Sequence, residues 1–189
     1  MTFKTLKLIF GGVLLLASLG VLLSLTAFSD IYKLEKVNVE KSDGISIYAD
    51  RKGKPISGVI IKEFKEEKGA RINIPVTGGI VSGMVKQFDG DAKKIAEFPF
   101  VNGVLEGAAT FYDREGNITG VSIYSGGKKE GKETVFAGSQ RSSEAIYAGG
   151  ELQRFIKFKP GGGIEYEIDP ALGDDTGSLP PPLPLPDIP

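Results

Sequence analysis

Three pairs of glycines four residues apart, Gly79 and Gly83, Gly103 and Gly107, Gly127 and Gly131, follow one another in steps of 24 residues. A looser copy precedes them at Gly53 and Gly58. A degenerate one follows, with Gly150 in place and Arg154 at the second position. A fixed period of this length is the mark of stacked copies of one small supersecondary unit, each covering the apolar face of its neighbour. It constrains the fold to an array and favours binding over catalysis.

Aligned on the first glycine of each pair, the copies share a β-former three residues earlier, namely Val76, Phe100, Tyr124 and Tyr147. Five residues past the second glycine there is an aromatic, at Phe88, Tyr112 and Phe136. β-branched and aromatic residues between glycine-rich turns predict short strands joined as hairpins. Pro75 and Pro99 cannot donate to a ladder, which places them at outward-facing or strand-initial positions. Asp113-Arg114-Glu115-Gly116 and Asp50-Arg51-Lys52-Gly53 have the composition of a type I turn closed by a left-handed residue, and Asp89-Gly90-Asp91 and Ala137-Gly138-Ser139 read as looser versions. The expected architecture is mostly β, an elongated antiparallel sheet of hairpin repeats over residues 45–160. A linker over 31–44 and an extended Gly/Pro-rich tail over 161–189 flank it.

Before the array, Leu8 to Phe28 is a run of 21 residues without a charge, preceded by Lys4 and Lys7. At about 1.5 Å per residue a helix of that length spans the hydrocarbon core of a bilayer. Residues 1–30 therefore read as a single membrane anchor. The alternative is a signal peptide cut before Asp30, which would make the rest a secreted protein. Lysines on the short side stay cytoplasmic, so the expected location is a bacterial inner membrane with the repeats outside the cytoplasm.

The sequence contains no histidine, cysteine or tryptophan. This removes disulfides, thiolate nucleophiles, cysteine-based zinc sites and the commonest general base near neutral pH. Between Tyr32 and Ile168 there are 21 lysines and arginines against 19 acids. That balance lacks the clustered basic face nucleic acid demands. Gly126 to Lys132 imitates the opening of a phosphate-binding loop, but Glu133 stands where Ser or Thr would hold magnesium, and a strand-like Thr134-Val135-Phe136 follows. Asp113, Glu115 and Asn117 alternate oxygens without the remaining ligands of a calcium loop. No catalytic residue, metal ligand or cofactor is expected. Candidate protein contacts are the strand aromatics Phe100, Tyr124 and Tyr147, taken as outward-facing, together with Leu179, Leu183 and Leu185 of the tail.

Val101-Asn102-Gly103-Val104-Leu105-Glu106-Gly107 and Phe111-Tyr112-Asp113-Arg114-Glu115-Gly116-Asn117, with Gly53 to Val59 behind them, resemble the MORN-variant repeat, a family that includes the YwqK-like antitoxins. The resemblance covers residues 45–158 and is most specific over 95–136. It implies a β-hairpin array used for protein or surface interaction and brings no catalytic residues with it. The tail carries seven prolines in its last twenty residues. Such density excludes sheet pairing and favours polyproline II. It reads either as a spacer or as a docking strip, and in the second case Leu179, Leu183 and Leu185 are the contact residues.

Overall fold

A computed structural model describes residues 30–173, 177 and 179–189. The apolar run Leu8 to Phe28 lies outside the described residues, and with it the expected anchor. Among the described residues no helix is long and apolar enough to cross a membrane.

The described chain is almost entirely β. Its strands are β1 (Asp30–Lys33), β2 (Asn38–Ser42), β3 (Ile45–Ala49), β4 (Gly58–Glu63), β5 (Arg71–Thr77), β6 (Ile80–Val81), β7 (Gly83–Phe88), β8 (Lys94–Val101), β9 (Val104–Leu105), β10 (Gly107–Tyr112), β11 (Ile118–Ser125), β12 (Lys128–Ala137), β13 (Gln140–Ala148), β14 (Glu151–Phe158) and β15 (Ile164–Ile168). They form one sheet. From β15 to β10 each strand pairs with the next in sequence, and the order then runs β8, β7, β5, β6, β3, β2. The pairing is antiparallel except where β1 runs parallel to β4. The stretch 31–44, expected as a linker, carries most of β1, a 3-10 turn at Leu34–Lys36 and β2. The stretch 161–189, expected as extended tail, first carries β15 and a 3-10 turn at Pro170–Leu172.

The repeated glycines are explained at one kind of turn. Gly78-Gly79, Asn102-Gly103, Gly126-Gly127 and Gly149-Gly150 are two-residue hairpin loops with positive φ at both central positions, for example +49° at Asn102 and +83° at Gly103. This is the type I′ geometry, whose twist matches that of the flanking strands and which only Gly, Asn and Asp enter at small cost. The residue before each repeated glycine is thus part of the same signal.

The same turns bind successive units together. The second turn residue donates its N–H to a carbonyl one unit earlier: Gly79 to Ile56 at 2.7 Å, Gly103 to Val81 at 2.8 Å, Gly127 to Leu105 at 3.0 Å and Gly150 to Lys129 at 2.9 Å. The first turn residue donates to a side chain of the preceding unit: Gly78 to Ser57 Oγ at 2.9 Å, Gly126 to Glu106 Oε2 at 2.7 Å and Gly149 to Glu130 Oε2 at 2.7 Å. The second glycine of the pair has another role. A Cβ on Gly83 or Gly107 would lie 3.3 Å from Cγ of Pro75 or Pro99, so each proline stacks on a bare backbone across the hairpin.

At the other end of the hairpins Asp50, Asp89 and Asp113 each accept two backbone N–H bonds through Oδ1, from residues two and four further on. Asp89 makes the same turn as Asp113, although its sequence reads as looser. Ala92, at φ +61°, occupies the left-handed position that Gly116 fills in the next copy. Register shifts fall just before the repeated aromatics Phe88, Tyr112 and Phe136, and again before Phe158. These β-bulges re-aim the rings. Cations cover three of them: Arg71 lies 4.3 Å from the Phe88 ring centre, Lys94 4.1 Å from Tyr112 and Arg141 5.0 Å from Phe158.

One face of the sheet carries the core. Tyr48, Ile60, Ile72, Ile74, Val85 and Phe98 are fully buried, and Phe98 meets Phe111 edge to face at 5.6 Å. Tyr32, Leu34, Val37 and Val39 from the segment β1 to β2 pack onto this cluster. A second, smaller cluster of Ala145, Phe155 and Ile168 lies on β13 to β15.

Candidate binding surface

The tail decides which part of the core face is free. Leu179 packs against the Ala145–Phe155–Ile168 cluster, while Leu183 and Ile188 pack against the main one. Lys62 Nζ holds Asp187 through its carbonyl at 2.9 Å and its carboxylate at 2.6 Å, and Tyr48 Oη donates to the carbonyl of Pro189 at 2.8 Å. The chain end therefore runs back across the sheet from β13–β14 to β3–β4, as a strap in extended form.

Leu183 has a made-to-measure recess. A Cβ on Gly120 would come within 2.8 Å of its Cδ1, and the backbone of Gly120 does not lie in the left-handed region. A glycine in mid-strand here serves the close approach of another chain segment. Pro180, Pro181, Pro182 and Pro184 are exposed between the half-buried anchor points. Leu185 points to solvent at 58% exposure.

Beneath the strap the register places two polar side chains, Ser122 and Glu133, between alanines on the same face as the core. Ala109 pairs with Ser122, Ser122 with Glu133 and Glu133 with Ala145. Glu133 forms a largely buried ion pair with Lys129, whose ammonium lies 4.8 Å from the Tyr147 ring centre. The hydroxyls of Ser122 and Tyr124 are buried without a hydrogen-bond partner among the described residues. Burial pushes the Tyr124 phenol above its ordinary pKa, the Ser122 hydroxyl partly offsets this, and the Glu133 charge adds a further rise. Tyr147 is raised in the same way, by burial first and then by Glu133.

Two hollows separate strap and sheet. The larger, about 700 Å³, is lined by Val135, Ala145, Tyr147, Leu152 and Phe155 below and by Leu179 to Leu183 above. The smaller, about 410 Å³, lies between Tyr124, Gly127 and Lys129 and the tail residues Pro182 to Leu185. A largely apolar groove with a few convergent polar groups is the usual form of a ligand site.

The structure brings together five of the six sequence-selected contact residues, in a way the sequence did not indicate. Tyr124 is a correction: it is buried at 3% exposure and faces the core side, not outward. Phe100 is half-buried against the main cluster and Tyr147 against the smaller one, so neither projects freely. Leu179 and Leu183 are engaged by the protein's own sheet. The alternation within a strand assigns two faces but leaves open which face the distant tail will cover. Gly120, Ser122, Lys129, Glu133 and Lys62 were not expected as contact residues, and of these only the mid-strand glycine carried a local signal for it.

Outside this face, Glu97 accepts from the Tyr112 hydroxyl and from Lys94 at 2.9 Å. Its burial alone would raise the carboxyl pKa, but these two donors and the Lys94 and Lys86 charges outweigh it and hold Glu97 below the usual carboxylate range. Such a paired, ionised carboxylate ties β8 to β10 and is a poor proton donor. Among the described residues there is no group of three or more His, Cys, Asp or Glu side chains arranged to hold a metal ion.

No family model and no curated protein matches the chain. Among solved structures, an alternansucrase in complex with isomaltononaose aligns over 68% of this chain and 15% of its own length, with 14% identity and a TM-score of 0.15. The chain thus spans under a sixth of that protein, and a likeness so low carries no argument about fold or activity.

Proposed function

We propose that this is a non-enzymatic, membrane-anchored protein of a bacterial envelope, whose β-repeats and proline-rich tail bind other proteins in a larger membrane assembly. The apolar run Leu8 to Phe28 supplies the inner-membrane anchor and leaves the repeats outside the cytoplasm. The resemblance of residues 45–158 to MORN-variant repeats supports an interaction array rather than a catalyst. The observation that carries the reading is the apolar face of the sheet over β11 to β14, onto which Leu179 and Leu183 of the chain's own proline-rich tail pack. A sheet face that seats a proline-rich segment of its own chain is suited to seat one from another protein.

Gentle detergent extraction followed by native sizing and protein mass spectrometry tests it. The chain is expected in a particle heavier than itself plus its micelle, in a fixed ratio to one or a few membrane proteins. Recovery in the soluble fraction, or as a lone monomer, overturns the reading. A second reading rests on the resemblance over 95–136, which extends to antitoxins: an inhibitor that neutralises an envelope effector. It requires that loss of the chain be toxic to the cell, and a healthy deletion strain removes it.

A further inference from the structure

We propose that the face over β11 to β14 is a recognition groove for proline- and leucine-rich polyproline II segments of a partner protein, and that the C-terminal tail is its resident occupant in cis. This rests on the binding role proposed above and names the partner's chemistry and the way access to it is controlled.

The tail displays what the groove accepts. Leu179 and Leu183 enter it four residues apart, about 12 Å along a polyproline II helix of roughly 3.1 Å rise. Strands lie about 4.8 Å apart, so that step matches the distance from the β13–β14 patch to the recess over Gly120 on β11. The acid Asp187, four residues further, meets Lys62, whose side chain is largely buried. Over β11 to β14 the readout is therefore leucine and leucine four residues apart, with prolines setting the extended form between them, while the acid fastens the tail to β4 outside that face.

The tail also fits imperfectly. It leaves the hollow of about 700 Å³ above Tyr147, Leu152 and Phe155, and a second of about 410 Å³ beside Tyr124. Tyr124 lines that second hollow, nine-tenths buried and more, and among the described residues neither its hydroxyl nor that of the neighbouring Ser122 makes a hydrogen bond of good geometry. Buried hydroxyls are normally hydrogen-bonded. A polyproline II segment has no internal hydrogen bonds, so every carbonyl it carries is a free acceptor. A partner segment that fills the hollows and lays a carbonyl on Tyr124 satisfies groups that the tail leaves unsatisfied. Aromatic-lined grooves take proline-rich ligands for the same reasons, a preformed ligand and flat rings to pack against. The tethered tail competes at high effective concentration, so the groove opens only to a segment that fits better, or when the tail's own anchors are weakened.

The test uses the full chain in detergent and a fluorescent peptide with the sequence of residues 179–189, followed by anisotropy. Native chain is expected to take the peptide poorly, and L183D and D187K to bind it at least about tenfold tighter, because the cis competitor is weakened while the groove is intact. Adding Gly120→Val to L183D fills the recess and is expected to abolish binding, as is replacing the peptide's prolines by alanine. Asp187 is exposed in its side chain, so D187K keeps the fold even where L183D does not. Absence of binding to D187K, or binding indifferent to Gly120→Val or to the loss of the prolines, overturns the groove. Native chain that dimerises with concentration, and is dispersed by the peptide, assigns the groove to a second copy and overturns the partner reading. A chain that sits in a larger assembly yet ignores the peptide sinks the groove alone. A monomeric chain that binds the peptide sinks the assembly alone.

Discussion

Ala92 holds a conformation that its counterpart Gly116 holds for free. Left-handed backbone costs an L-residue about 1–2 kcal/mol, partly offset by the extra freedom glycine has when unfolded. Ala92→Gly is therefore expected to stabilise the protein by about 0.5–1 kcal/mol, read as a higher urea midpoint. Gly103 and Gly116 make the opposite comparison. Both have strongly positive φ, but a Cβ at Gly103 would come 2.6 Å from Ile45 Cγ2, whereas Gly116 faces open space. Alanine at either site costs about 1–2 kcal/mol in backbone strain. Gly103→Ala is expected to cost more than Gly116→Ala in parallel denaturation curves, and equal costs would show that the contact with β3 yields freely. Glu97 gives a pH signature. Its carboxyl is held below the ordinary range in the folded chain, so its contribution is complete above the unfolded pKa and disappears as pH falls through the lower folded value. Between neutrality and pH of about 3, native protein is expected to lose stability more steeply than E97Q.

At the level of the hairpin, the structural unit is the type I′ turn together with the groups that fasten it to the unit before. Glu106 shows this well: it receives the Gly126 N–H and the Ser125 hydroxyl from the following copy. Glu106→Ala is expected to speed amide exchange at Gly126 while leaving Gly149, held by Glu130, unchanged. Uniform acceleration along the array would mean that the turns are not individually fastened. These units were readable in the chain because positive φ restricts the choice of residue so sharply that the turn prints itself in the sequence. The Asp89 turn was harder to recognise, since Ala92 replaces the expected glycine, although the two N–H bonds to Asp89 hold the same geometry without it. Glu106 and Glu130 left no such trace, because many polar residues can reach a neighbouring N–H. Tyr124 was placed on the wrong side for a different reason: local alternation says that two faces exist, and a segment sixty residues away decides which of them is dry.

Across the molecule, stability is unevenly spread. The main cluster runs from Tyr48 to Tyr124, while β13 to β15 rest on only Ala145, Phe155 and Ile168 with Leu179 laid over them. Nearest-neighbour arrays open first where the local core is thinnest. Hydrogen exchange is therefore expected to proceed inward from β15, with β5, β7 and β8 the most protected. Uniform protection would show that the strap makes the sheet a single cooperative body. The two attachments of that strap, Leu179 over β13–β14 and Asp187 on Lys62 of β4, have a consequence for how such a chain can vary. An array of hairpins can in principle lengthen by whole copies. One extra 24-residue copy between the two attachments adds two strands and moves them apart, so the eight residues that join Leu179 to Asp187 must lengthen with it. The tail thus acts as a tape measure, and the number of copies is locked to its length.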